Sequence, residues 1–331
     1  MKNAVKNLFY RLNLKPNIDN TFIKSNKTKL ISSILLLTSA SSYFIYNKYS
    51  NNYLFQSNKR NIEETADNKN NPLYRSKNKK PLDDNGNVLI FSGTSNKELA
   101  KEVAECLGHK LGNATIKRFA DGECNIQIHE SIRGKDIYII QPTCPPVNES
   151  LVELLLLIST FKRTSARKIT AIIPYYGYGR ADRKMNSRVP ISAADTAKML
   201  ETMGVDRVMA IDLHAGQIQG FFGPSVPVDN LESQIIMVEN LLRSNLVKDF
   251  NNLVIVSPDA GGVYRAKSFA EILSNKTSAN VGLTMIVKQR IKANEVAKME
   301  LVGNVNGQEC IIIDDIIDTA VSKKLKYILL N

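Results

Sequence analysis

The sequence predicts an α/β protein built on two successive parallel sheets. Two observations carry that expectation. From Asn85 onward, short apolar runs alternate with stretches of helical periodicity. The alternation runs through two cycles that meet near residues 228–234, and 331 residues leave room for two domains.

The first cycle opens with a strand at Val88–Phe91. Asn96 then caps a helix over Lys97–Gly108, with Leu99, Val103 and Leu107 on one face. Asp136–Gln141, DIYIIQ, reads as a second buried strand. Leu151–Phe161 reads as a helix that turns Leu151, Leu154, Leu155 and Ile158 inward. A strand at Ile169–Pro174, a helix at Ile191–Met203 and a strand at Arg207–Asp212 follow, then a loop through Asp229. The second cycle has a helix at Glu232–Leu246, a strand at Leu253–Ser257 and a helix at Ala260–Leu273. Strands at Val281–Val287 and Cys310–Ile313 complete it.

Ahead of these cycles lies a segment of different texture. The formal charge of the chain is +12, which invites a nucleic-acid reading. Residues 1–84 hold 15 Lys/Arg against 6 Asp/Glu and carry 15 Asn, so +9 of that charge sits there. Such a polar stretch buries too little apolar surface to offset the entropy of ordering it. It reads as an extension to a folded part that starts near Asn85, with domains at 85–230 and 231–331. The folded part keeps only +3, and no nucleic-acid partner is expected. Within the extension, Leu30–Asn47 holds no charged residue and is bracketed by Lys29 and Lys48. Eighteen residues is the lower limit for a membrane-spanning helix, and six of these are Ser or Thr. Two readings stand: a membrane anchor or organelle-targeting segment, or an apolar run in a disordered tail. Cys106, Cys124, Cys144 and Cys310 form no CxxC pair, which argues against a zinc ribbon or a disulfide scaffold and suits a reducing compartment.

In open α/β sheets, ligands bind beyond the carboxyl ends of the strands, and four predicted strand ends carry polar clusters. Tyr175–Lys184, YYGYGRADRK, sets Arg180, Arg183 and Lys184 among Gly and Tyr, a set suited to phosphates, with Asp182 able to orient an Arg or a metal-bound water. Asp212–Phe222, DLHAGQIQGFF, places Asp212 and His214 at a strand end, where they suit Mg²⁺ or its waters. Ser257–Gly262, SPDAGG, sends Asp259 out of the sheet just before a helix, with two Gly that permit close approach. Ile311–Ala320, IIIDDIIDTA, runs a buried strand into Asp314 and Asp315. Asp318 and Thr319 follow, a pattern suited to a sugar diol, a metal and a phosphate. A fifth piece, Val287–Glu295, alternates Lys288, Arg290 and Lys292 in a polar segment whose cations would close over a charged transition state.

Together these residues resemble ribose-phosphate pyrophosphokinase, also called phosphoribosyl pyrophosphate synthetase, from about Val88 to Asp318. The resemblance implies two similar phosphoribosyltransferase-like domains, the second incomplete. It implies transfer of the β,γ-diphosphoryl group of ATP to ribose 5-phosphate, with Mg²⁺ as cofactor. RFADGE, Arg118–Glu123, resembles the family's adenine-side loop, which a neighbouring subunit lends. Phe119, Asp121 and Glu123 therefore imply ATP binding and a homo-oligomer of the family's hexameric, dimer-based kind. Arg180 and Asp182 resemble the ATP-binding loop. Asp212, His214 and Asp259 match Mg²⁺-site positions. Lys288 and Arg290 match the catalytic flexible loop. Asp314, Asp315, Asp318 and Thr319 match the start of the ribose 5-phosphate loop. The family resemblance also implies a cytoplasmic enzyme, subject to the two readings of residues 30–47.

The sequence departs from the family pattern in two places. The loop Gly223–Asp229 is about two residues longer than the usual spacing, which a loop tolerates. After Asp318-Thr319 the chain reads AVSKK and ends at Asn331, where family members continue. The expectation at this point is a truncated or mis-spliced gene model, with an exposed, aggregation-prone edge at Ile311–Ile313 and little activity. Two rival functions remain: a non-catalytic regulatory homologue, and a phosphoribosyltransferase. The latter shares the DD-then-DT pattern but has no use for an ATP loop.

Overall fold

The computed structural model describes residues 35–37, 42–46, 86–244, 246–292 and 295–316. Among these, residues 86–231 form one compact unit, and residues 35–37, 42–46 and 232–316 belong to another. Strands β1 (Leu35–Leu37) and β2 (Ser42–Tyr46) are part of the latter.

The first unit contains β3 (Val88–Ser92), α1 (Lys97–Cys106), β4 (Ala114–Arg118), β5 (Cys124–Ile128), β6 (Asp136–Ile140) and α2 (Val147–Arg163). It continues through β7 (Lys168–Ile173), α3 (Ser192–Met203), β8 (Arg207–Ile211) and β9 (Val228–Leu231). Strands β3-β6-β7-β8-β9 make one five-stranded sheet in that order, and every pairing in it is parallel. Parallel strands are covered on both faces, which is why DIYII and KITAII read as nearly continuous apolar runs. The core gathers Ile137, Ile139, Leu154, Leu157, Ile158 and Phe161, and the rings of Phe91 and Phe161 lie 4.7 Å apart.

Three local outcomes differ from expectation. On α1 the fully buried positions are Ala100 and Ala104, while Val103 and Leu107 pack only partly; the small residues let the helix lie close on the sheet. Strand β9 replaces part of the predicted loop. Its VDNL carries little apolar signal because its polar side chains have partners. Asp229 pairs with Arg207 at 2.6 Å, and Asn230 Oδ1 accepts from Leu213 N at 2.9 Å. Residues 114–128, assigned no element from sequence, form the antiparallel hairpin β4–β5.

The second unit contains α4 (Gln234–Ser244), β10 (Leu253–Ser257), α5 (Val263–Thr277), β11 (Gly282–Lys292), β12 (Glu295–Val302) and β13 (Glu309–Asp314). Its sheet runs β1-β2-β13-β10-β11-β12, with β10 parallel to both β13 and β11. The expected polar segment at Val287–Glu295 is instead largely strand: β11 continues to Lys292 and pairs antiparallel with β12. The cause is a backbone ladder that does not depend on the apolar pattern, which fades after Val287.

Two further expectations are corrected here. Ile311–Ile313 does not form a bare edge, because β2 pairs antiparallel with β13 from Tyr46↔Cys310 to Ser42↔Asp314. A membrane-spanning helix at residues 30–47 finds no support where the segment is described: β1 and β2 form an antiparallel hairpin. No helix among the described residues is long and apolar enough to cross a membrane. An open sheet edge offers unpaired N–H and C=O groups, and SYFIY, rich in aromatic and β-branched residues, is suited to take them. The rest of residues 1–84, up to Asp84 and Asn85, lies outside the described residues.

No disulfide joins the four cysteines: Cys106 is exposed, and Cys310 is buried with its thiol pushed up to about 12 by desolvation and by Glu309. The thiolate is the reactive form. In the native protein Cys106 is therefore expected to react with a disulfide reagent at neutral pH while Cys310 stays protected until denaturant is added. Mass mapping of the labelled peptides reads this directly.

Candidate active site

The first cluster sits at the carboxyl end of β7. Gly177 is pressed against the loop after β6, where its N donates to Thr143 Oγ1 at 2.6 Å. A Cβ there would meet Thr143 O at 2.8 Å, so the close approach requires glycine. Tyr176 is buried, donates its hydroxyl to Ala193 O at 3.1 Å and has its pKa raised by desolvation. It anchors the loop. Arg180 is exposed. Asp182 is buried and takes a bidentate grip from Arg183, with Nε at 3.0 Å and Nη2 at 2.7 Å. Gln217 Nε2 adds a bond to Asp182 Oδ2 at 2.7 Å. The Arg183 hydrogen bond holds the Asp182 carboxyl below its usual range. Asp182 therefore orients an arginine, one of the two roles expected of it.

The second cluster follows β8. Asp212 is buried in a left-handed conformation, φ 46°, and its N donates to Leu231 O at 3.0 Å. A non-glycine residue at positive φ marks a constrained turn, and Asp tolerates it better than most. His214 is exposed and close enough to Asp182 for its charge to act on that carboxyl. Sequence positions 182, 212 and 214 thus converge in one unit.

The third part is the turn between β4 and β5. Phe119 N donates to Glu123 O at 2.9 Å, Gly122 N to Phe119 O at 3.0 Å, and Asp121 Oδ1 accepts from Glu123 N at 3.0 Å. Gly122 has φ 93°, as this turn requires. Asp121 thus shapes the tip, while Phe119 is 54% exposed. Beneath the tip lies Glu153 of α2, a residue the sequence reading passed over. It is 0% exposed and bonded to Arg118, Thr94 and Gln141.

In the second unit, β10 and β13 run side by side and bring their terminal carboxylates together. Asp259 caps the turn into α5, with Oδ1 accepting from Gly262 N at 3.1 Å. Asp315 is buried 3.5 Å from Arg265 Nη1, a partner from α5 that the sequence reading did not single out. Asp314 is pushed well above the usual carboxylate range. Desolvation is the main cause, followed by its hydrogen bond to Asp315 and the charges of Asp315 and Asp259. Lys288 and Arg290 lie on β11, where the register against β12 shifts between Gln289 and Arg290 and again before Lys292. Asp318 and Thr319 fall outside the described residues. Among the described residues, no three His, Cys, Asp or Glu side chains form a metal-holding group.

Residues 88–204 match the N-terminal domain of ribose phosphate pyrophosphokinase, and residues 228–325 match a phosphoribosyl transferase domain. The chain is 50% identical over 231 residues to the ribose-phosphate pyrophosphokinase of Campylobacter jejuni, covering 70% of this chain and 71% of that one. The chain belongs to the ribose-phosphate pyrophosphokinase family. The pyrophosphokinase of Helicobacter pylori is 49% identical over 233 residues, covering 70% of this chain and 69% of that one. The enzyme of Xanthomonas axonopodis is 45% identical over 240 residues, covering 72% of each chain. Among solved structures, phosphoribosylpyrophosphate synthetase from Mycobacterium smegmatis superimposes with a TM-score of 0.66 at 38% identity. That match covers 74% of this chain and 76% of that one.

Proposed function

We propose that this pyrophosphokinase-family chain makes 5-phosphoribosyl 1-diphosphate and AMP from ATP and ribose 5-phosphate. The observation that carries the reading is the set of charged residues at the carboxyl ends of β7, β8, β10 and β13, in a chain whose residues 88–204 and 228–325 match the family's two domains. Phosphoryl-transfer sites work mainly by positioning and by charge. Arg180, beside the braced Asp182, suits the nucleotide phosphates. Phe119, with Asp121 and Glu123 at an exposed tip, suits the adenine of a neighbouring copy, and a homo-oligomer follows from that role.

Asp314 and Asp315 suit the ribose hydroxyls. The strained ionisation of Asp314 favours a donor or a cation beside it. Asp318 and Thr319 would receive the 5-phosphate. Lys288 and Arg290 would meet the charge that develops on the transferred group.

Mg²⁺ fits the chemistry of the donor set, which is carboxylate oxygens and one imidazole. Asp212 and His214 in the first unit would hold it, Asp259 in the second would offer a further carboxylate, and when bound it would neutralise the diphosphate.

AMP release from ATP, followed by chromatography, tests the reading. Release should require both ribose 5-phosphate and Mg²⁺ and should stop on adding EDTA. Release that ignores ribose 5-phosphate would sink it.

A further inference from the structure

A wholly buried carboxylate is costly unless every face of it is partnered. Glu153 meets that demand with donors from three separate segments. Thr94 N at 2.6 Å and Thr94 Oγ1 at 2.7 Å come from the loop after β3. Gln141 Nε2, at 3.0 Å, comes from the end of β6. Arg118 Nη2, at 3.1 Å, comes from the last residue of β4. Gln141 is itself 0% exposed and locked by Ser95 Oγ at 2.7 Å and by its bond to Ser150 O at 3.2 Å. One side chain therefore fastens the stem of the β4–β5 hairpin to the rigid carboxyl end of the parallel sheet.

The place of that fastening matters. Arg118 immediately precedes the tip, and its strand partner Cys124 immediately follows it. The tip's own hydrogen bonds set its shape but not its direction, and a two-stranded hairpin is marginal without outside support. Farther down the stem, Ala114, Ile116, Ile126 and Ile128 pack on the core. Arg118 lies at the tip end of the stem, beyond these packed residues.

We propose that Glu153 is a positioning residue for the Phe119–Glu123 tip, acting through Arg118. The inference rests on the reading of that tip as a nucleotide contact. Glu153 touches no substrate in it. It aims the residues that do.

The test uses the full chain with Arg118→Met, Arg118→Lys, Glu153→Gln and Phe119→Ala. In Arg118→Met, loss of the cationic partner of Glu153 should lower the melting temperature and speed amide exchange at residues 119–123 by about tenfold, with a much smaller change in β6 and β7. The KM for ATP should rise about tenfold, with kcat within about twofold and the KM for ribose 5-phosphate unchanged. Glu153→Gln, which sets an amide NH2 against these donors, should free the tip and also lower the melting temperature. Arg118→Lys, which keeps the charge, should recover part of the loss. Phe119→Ala should raise the KM for ATP without loosening the stem.

If Arg118→Met lowers kcat and melting temperature together, speeds exchange throughout the sheet and leaves the KM for ATP alone, Glu153 is merely structural and the proposal is overturned. If Phe119→Ala leaves the KM for ATP unchanged while Arg118→Met still frees the tip, the nucleotide reading of the tip fails instead. The role assigned to Glu153 in catalysis falls with it. The exchange arm reads the tether independently of turnover.

Discussion

Replacing Lys288 with Ala is expected to lower diphosphoryl transfer about a thousandfold, with Arg290→Ala comparable. The transferred group carries negative charge that grows on its oxygens and on the departing AMP. A cation placed there in a site shielded from water is worth far more than one in bulk solvent. Lys288 and Arg290 sit two apart on β11, across a break in its register with β12. Removing one cation should depress kcat far more than it raises either KM. The double variant should be little worse than the single ones, because residues acting on one transition state do not add. Melting temperature should barely move, since the β11–β12 ladder is backbone. Steady-state AMP release decides it, and a Lys288→Ala variant that keeps more than about a tenth of the activity would remove Lys288 from the mechanism.

Gly93→Ala is expected to destabilise the first unit by about 3 kcal/mol. A Cβ at Gly93 would stand 2.0 Å from Gln141 Oε1 and 2.3 Å from its Cδ. Those distances are impossible, so Gln141 has to move. It cannot swing aside freely, because Ser95, Ser150 and Glu153 all hold it. Moving it leaves the buried Glu153 carboxylate short of a donor, which adds the desolvation penalty to the clash. The melting temperature should fall by roughly 5–10 °C. Gly216→Ala is the control: nothing lies within 4 Å of its Cβ position, and it should melt close to the parent. Equal melting of the two variants would show that the loop after β3 yields where the geometry says it cannot.

The contrast between Glu153 and Asp314 explains how much of the site was legible in the sequence. Asp314 follows an unbroken apolar strand and is paired with Asp315, so its chemistry is local and the reading finds it. Glu153 lies in LVELLLLI, where an isolated acid reads as the solvent side of a helix. The structure inverts this: Glu153 is 0% exposed, while its neighbour Val152 is 49% exposed. The partners that make burial tolerable lie 12 to 59 residues away along the chain. No periodicity encodes them. Arg265 escapes notice for the same reason, as its partner Asp315 belongs to another element. The hairpin β4–β5 was missed although CNIQI alternates apolar and polar residues: each strand is only five residues long, and the turn between them was singled out for its chemistry alone.

Local chemistry was enough to set the class of the molecule. Apolar runs long enough to be strands, helices with one apolar face and charged clusters at strand ends all act within a few residues, and they specified an α/β protein with charged residues at its strand ends. The pairing partners required the folded chain. Residues 30–47 show this most clearly. Apolar and uncharged, they suit a bilayer or a sheet edge equally well, since both remove apolar side chains from water and both demand satisfied backbone groups. Within the segment, β2 pairs with β13, because that strand offers an open row of hydrogen-bonding groups, and β1 pairs with β2. That row exists only once β10 and β13 have come together, and no window of sequence contains it.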